Sequence, residues 1–221
     1  MKLLLNALIK FLIGLLLVAL LIFLPAGTLA YPGGLLFLCL LFVPMLIMGI
    51  VMLARARDLL AKRLDAKEKQ AAQKGVQSLA GLVFMAGFVL AGLDFRFDWS
   101  DMPLPVVIAA SVIFLIGYGL YAEVMRENAY LARTVKVEEG QTVISTGLYG
   151  IVRHPMYLAS VLMFLSIPLV MGSWYALIPF ALYPALMVIR IKDEEKLLTA
   201  ELAGYEEYKV KVKYRMIPFI W

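Results

Sequence analysis

The 221-residue chain contains one cysteine (Cys39), one histidine (His154) and only 17% charged residues. A lone cysteine excludes a disulfide framework, and one histidine beside it excludes a His/Cys metal cluster. So little charge, with 63% hydrophobic residues, excludes an ordinary soluble domain, which is nearer half apolar and a quarter charged. The same figures exclude a disordered chain and a nucleic-acid module. There is no Walker loop, no GxSxG element and no paired-cysteine motif. Gly117-Tyr118-Gly119-Leu120-Tyr121-Ala122 does match the dinucleotide pattern GxGxxA. It lies inside an apolar run with no βαβ unit, so its glycines read as helix-packing positions. Cys39, also within an apolar run, reads as a buried and inert thiol.

What is abundant is uninterrupted apolar sequence. Crossing the hydrocarbon core as a helix takes about twenty apolar residues. Runs of that character cover 3–24, 35–54, 79–93, 106–125, 156–171 and 174–189. The last two are each about 24 Å long as helices. Only Gly172 and Ser173 part them, so they read as a tight helical hairpin. Small residues at 26–30 admit a signal-peptide reading of the first run, but its length and the spans that follow argue against one. The expected fold is an all-α integral membrane protein of about six transmembrane helices. It forms one multi-pass domain, with four N-terminal spans in 1–125 and a catalytic region in 126–221.

The net charge of +5 is unevenly spread. Seven Lys and Arg residues crowd 55–74, whereas Arg96 faces Asp94, Asp98 and Asp101 in 94–103. The positive-inside rule places the first connection in the cytoplasm and the second outside, with both termini cytoplasmic. Topology and anionic lipid account for the basic loops, and no nucleic-acid partner is needed. Residues 55–74 read as a helical extension of the second span, and the acids of 94–102 as facing water.

Candidate chemistry collects in two cytoplasmic pieces, 123–154 and 190–221, which the hairpin returns to one membrane face. Residues 135–145 read as extended or turn-rich, and Gly147-Leu148-Tyr149-Gly150 as flexible backbone. Pro155 suits the first turn of a helix. Arg153 and the free N–H groups there suit an anionic group such as a carboxylate. His154 stands between them. Arg190 and Glu194, four residues apart, share a helix face and suit an ion pair. That helix is expected to run to about Ala203 with Gly204 as its cap. Tyr205 and Tyr208 follow on a second short helix or, alternatively, on an alternating strand.

The ordered set Gln141-Thr142-Val143-Ile144-Ser145-Thr146-Gly147-Leu148-Tyr149, Val152-Arg153-His154-Pro155-Met156-Tyr157, Arg190-x-x-x-Glu194-Glu195, Tyr205-x-x-Tyr208 and Ile217-Pro218 resembles the isoprenylcysteine carboxyl methyltransferase family. These integral membrane methyltransferases have prokaryotic and phospholipid N-methyltransferase relatives. The resemblance covers residues 127–221, and the earlier spans match only in character. It implies a methyltransferase using S-adenosylmethionine in a cytoplasmic pocket, formed by the loop before the hairpin and the C-terminal tail. It implies a prokaryotic plasma-membrane setting. The cofactor would be held by Gln141, Thr142, Val143, Ile144, Tyr149, Arg153, His154, Pro155, Met156 and Tyr157, with Tyr205 and Tyr208 from the tail. Glu195 would take a hydroxyl or ammonium of the cofactor. Arg190 and Glu194 would lie at the reaction end, facing a lipidic or small hydrophobic acceptor drawn from membrane lipid. Asn128 and Arg133 match related sequences less closely. No metal is implied.

Two other readings compete. Membrane reductases of the sterol or steroid type, which use NADPH, also show an Arg-His pair, a later acidic cluster and a Tyr-rich tail. Here Pro155-Met156-Tyr157 after the pair favours the methyltransferase. A transporter or structural membrane protein would place polar residues mid-span. Here they gather at the span ends, apart from Asn6, Lys10 and scattered Ser.

Overall fold

The computed structural model describes residues 2–65, 71–131, 137 and 139–221. Among these the secondary structure is helical, without strands. The helices are α1 (Lys2–Ala26), α2 (Pro32–Arg55), α3 (Arg57–Leu64), α4 (Ala71–Phe97), α5 (Leu104–Glu127), α6 (Pro155–Val170), α7 (Trp174–Phe180), α8 (Tyr183–Glu201) and α9 (Tyr205–Lys211), with a 3₁₀ turn at Gly147–Gly150.

Five segments are long and apolar enough to cross a membrane: Lys2–Ala26, Pro32–Arg55, Gln73–Phe97, Leu104–Glu127 and Trp174–Glu201. The chain is thus a multi-pass membrane protein. The expected fifth span, α6, has only 16 residues, too short to match the other five. Its hairpin partner is longer than the apolar run suggested. It comprises α7 and α8, broken at Ala181–Leu182 between Pro179 and Pro184, because a proline donates no backbone bond. The charged stretch after α2 is helical, as expected, but Ala56 (φ −149°) breaks it from α2.

Lipid tails are as apolar as Leu, so the helices cohere by close packing rather than by escape from water. Four glycines make that packing possible. A Cβ on Gly33 would meet the Met171 carbonyl at 2.5 Å, and one on Gly117 would meet Met163 Cγ at 2.7 Å. Cβ atoms on Gly87 and Gly92 would run into Phe180 and the Ile22 carbonyl. Around these contacts lies an aromatic core of Phe37, Phe88, Phe114 and Phe180, reaching α1, α2, α4, α5, α6 and α7. Gly117 therefore packs as expected, but Gly119 does not: nothing lies within 4 Å of its Cβ position. Cys39 is exposed on α2 rather than buried in protein, since that face of the helix has no partner among the described residues.

The end of the molecule opposite the charged loops is pinned by a buried acid. Asp94 Oδ2 accepts from Ser100 Oγ (2.7 Å) and from Ser173 Oγ. Ser173 caps α7 by accepting from Ala176 N, and Tyr31 donates its hydroxyl to the Met171 carbonyl. Asp94 was expected to face water and is instead 2% exposed. Two serine donors offset its removal from solvent.

Candidate functional site

At the other end, the approach to α6 is built from local constraints. Gly147 (φ +49°) lies so close to Glu127 that a Cβ would strike the carboxylate. That carboxylate accepts from Leu148 N and organises the 3₁₀ turn, so the segment expected to be flexible is ordered. Tyr149 emerges from it buried. Its hydroxyl accepts from Asn128 Nδ2 (2.8 Å), and its carbonyl accepts from the Tyr208 hydroxyl (2.7 Å). Pro155 starts α6, as the sequence indicated.

The C-terminal tail is fastened directly to this junction. Arg153 N donates to the Tyr214 carbonyl (2.9 Å), and His154 N donates to the Arg215 carbonyl (2.7 Å). Arg153 Nε reaches Glu195 Oε1 (2.7 Å), while Nη1 donates to the carbonyls of Val212 and Lys213. Glu195 Oε2 accepts from Arg215 Nε (2.7 Å), and the His154 ring lies 3.3 Å from Oε1. One buried carboxylate thus gathers three basic side chains. A network of this kind is costly to bury and more costly to break.

Beside it lies a trio of Tyr157, Glu194 and Arg190. The Tyr157 hydroxyl donates to Glu194 Oε2 (2.6 Å) and accepts from Arg190 Nε (2.9 Å). The expected Arg190–Glu194 association therefore runs through a tyrosine. His154 Nδ1 is 3.9 Å from Glu194.

These elements enclose one hollow of about 100 Å³. Gln141, Thr142, Val143 and Ile144 form one wall, and Tyr149 and Arg153 through Tyr157 another. Arg190 and Glu194 line the α8 side, and Tyr205 and Tyr208 the tail side. Fourteen of the fifteen anticipated residues therefore converge. The exception is Glu195, which lies behind the hollow and lines a shallow surface depression with Lys192 and Lys196 instead. Arg153 lines the hollow, but its Nε and Nη1 donors and its backbone N–H are already taken. Tyr205 and Tyr208 sit on helix α9, and the strand alternative does not form. Gly204 adopts the left-handed conformation (φ +82°) between α8 and α9, with α8 ending at Glu201, slightly earlier than expected. Arg133 and the first residues of the extended stretch lie outside the described residues.

Leu198 and Leu202 also line the hollow and were not anticipated. Their signal was present, because with Arg190 and Glu194 they repeat every four residues along one helix face. Burial pushes the Tyr149 hydroxyl up to about 12, partly offset by the Asn128 hydrogen bond, and pushes Tyr205 and Tyr208 up as well. All three hydroxyls stay protonated at neutral pH. The Tyr205 hydroxyl is buried without a hydrogen-bond partner among the described residues. An orphaned buried donor of this kind costs stability unless something satisfies it.

The phospholipid methyltransferase family model matches residues 105–205. That region, similar to this family, carries most of the hollow. The match agrees with the motif resemblance and supports a membrane methyltransferase. Curated relatives give a competing signal. A Delta(14)-sterol reductase of Mus musculus is 27% identical over 136 residues, covering 55% of this chain and 32% of its own length. A Delta(14)-sterol reductase of Methylotuvimicrobium alcaliphilum is 23% identical over 136 residues with the same coverage. The chain thus spans about a third of the length of these relatives.

Proposed function

We propose that the protein is an S-adenosylmethionine-dependent methyltransferase acting on a lipidic acceptor. The observation that carries the reading is the electrostatic character of the hollow. Arg153 is held by Glu195 and two carbonyls, Arg190 donates to Tyr157 and His154 lies against Glu195, and the other lining groups include the Glu194 carboxylate and five tyrosines. Such a lining suits a compact cationic ligand, since carboxylate and aromatic faces both attract cations. A dinucleotide with several phosphates needs uncommitted basic donors, and the committed Arg153 is not one.

When bound, S-adenosylmethionine would supply an electrophilic methyl to the acceptor's lone pair, with the sulfur as a neutral thioether leaving group. The chain's contribution is alignment, worth several kcal/mol in reactions of this type. Tyr205 supplies an unpartnered hydroxyl to the donor, and Tyr149 and Tyr157 supply aromatic surface. Gln141–Ile144, a non-helical segment with Val143 packed against the α9 tyrosines and Ile144 against the cluster of α2, α3 and α5, form the wall facing the nucleoside. Arg190, oriented by Tyr157, positions the acceptor. A carboxylate or thiolate needs no base, whereas an amine must lose a proton, and Glu194 is the nearest acceptor for it. The acceptor end is a larger crevice of about 440 Å³ between α4, α6 and α8, which shares Met156, Tyr157 and Arg190 with the hollow. A lipid entering there keeps its tail out of water, which saves about 0.8 kcal/mol per CH₂.

The test is incubation of purified protein with radiolabelled methyl donor and a total membrane-lipid extract, with parallel binding of NADPH. Labelled lipid and retention of the donor are the expected results. Retention of NADPH with no transfer would move the protein to the reductases. His154→Ala is expected to weaken donor binding by calorimetry, because His154 joins the tail to the start of α6.

A further inference from the structure

Not every glycine in the spans packs against a neighbour. Cβ positions on Gly49 in α2 and Gly81 in α4 have nothing within 4 Å. A glycine inside a helix costs about 1 kcal/mol against alanine, and here no close approach offsets that cost. Each of the two lines a cavity. Gly81 faces the crevice beside Arg190. Gly49 faces a separate groove of about 370 Å³ between α1, α2 and α5, roofed by Leu60 and Leu64 of α3.

The two spaces meet at one pair of residues. Arg63 and Tyr121 line both, and the Arg63 guanidinium stands over the Tyr121 ring at 5.3 Å. Among the described residues no Asp or Glu lines either space, whereas Lys10 and Arg63 line the groove and Arg63 and Arg190 the crevice. Beyond these cations the groove is walled mainly by Leu, Met and Phe side chains. It therefore adjoins the acceptor crevice across this pair, and is apolar along its length and cationic where the two meet.

We propose that this groove receives the hydrocarbon tail of the acceptor. The acceptor's polar end lies in the crevice near Arg190, and the tail passes the Arg63–Tyr121 pair into the space kept open at Gly49. The groove then sets the length of chain the enzyme accepts. This rests on the crevice being the acceptor side, as proposed above.

The test uses Gly49→Phe and Gly49→Leu, which fill the groove from open positions and leave the polar hollow untouched. With radiolabelled methyl donor and total membrane-lipid extract, both variants should bind donor as the wild type does. They should lose long-chain methylated product at least tenfold, with shorter-chain products spared. Gly81→Phe should lower all products. An unchanged chain-length profile in both Gly49 variants would overturn the proposal. Should the wild type methylate nothing, the methyltransferase reading fails while the groove is still tested directly. For that, the detergent-purified protein is photolabelled with a sixteen-carbon fatty acid carrying a terminal diazirine. Label concentrated on Met48, Leu53 and Tyr121 and abolished by Gly49→Phe sustains the groove as a tail site. Label spread evenly over the lipid-facing helices and indifferent to the variant removes it.

Discussion

The first four spans and the end that carries the hollow are held together by different means. Along α1, large apolar residues such as Leu4, Leu12, Leu16 and Leu20 are more than half exposed, as suits a lipid-facing helix. Cohesion there comes from glycine-mediated contact and aromatic packing. At the end with the hollow, Arg153, His154, Arg190 and Glu195 are all less than a tenth exposed and bonded to one another or through Tyr157. Apolar packing tolerates repacking, because its contacts are many and individually weak. A buried ionic network does not, because each member's burial depends on a specific partner.

The largest expected break of that contrast is Glu195→Ala. It leaves Arg153 and His154 buried without their carboxylate, and loss of one partner in a buried pair costs about 3–5 kcal/mol. Thermal unfolding in detergent should show it. A loss under 1 kcal/mol would mean that the basic groups find water or lipid phosphate instead.

Arg190→Ala should lower turnover by about 100-fold or more, the scale of a lost positioning interaction, with a smaller effect on donor affinity. Single-turnover kinetics beside calorimetry separate the two. Equal losses in both would make Arg190 a cofactor or fold residue.

Within the apolar region, Gly117→Leu should destabilise by about 1–3 kcal/mol, the range for overpacking. Its Cβ is driven into Met163 and the Ala159 carbonyl. Gly119→Leu, two positions away in open space, should stay within about 0.5 kcal/mol. Parallel unfolding of the pair sharpens the distinction between packing and spacer glycines. Tyr205→Phe should weaken donor binding by about tenfold, the worth of one hydrogen bond of about 1.4 kcal/mol, without loss of stability.

The smallest effect concerns pH. The folded value of Tyr149, about 12, exceeds its ordinary 10. Its contribution to stability is therefore complete below pH 10 and is lost as pH rises through 12. A Tyr149→Phe difference spectrum should show no tyrosinate signal from this residue at pH 10.

Much of the site was legible because its chemistry is packed into short motifs. Pro155 had to begin a helix, and Arg190 and Glu194 had to share a face, whereas Leu198 and Leu202, which continue the same spacing, were passed over. Glu195 was misplaced for a plain reason: adjacent residues on a helix point about 100° apart, and spacing alone does not say which side meets a cavity. Asp94 was misread as solvent-facing because its serine partners lie 6 and 79 residues away. The break between α7 and α8 was missed because the apolar run passes through the prolines without a change of character.

Composition and run length by themselves determined that this chain is a multi-pass helical membrane protein, since backbone groups in hydrocarbon must be satisfied within each helix. Local motifs determined where the polar chemistry concentrates. Only the tertiary structure decided which carboxylate faces the hollow and which anchors its wall, and which glycines pack and which hold space open. Those outcomes depend on what lies opposite each residue, and in a helical bundle that is set by the angles and offsets at which separate helices meet.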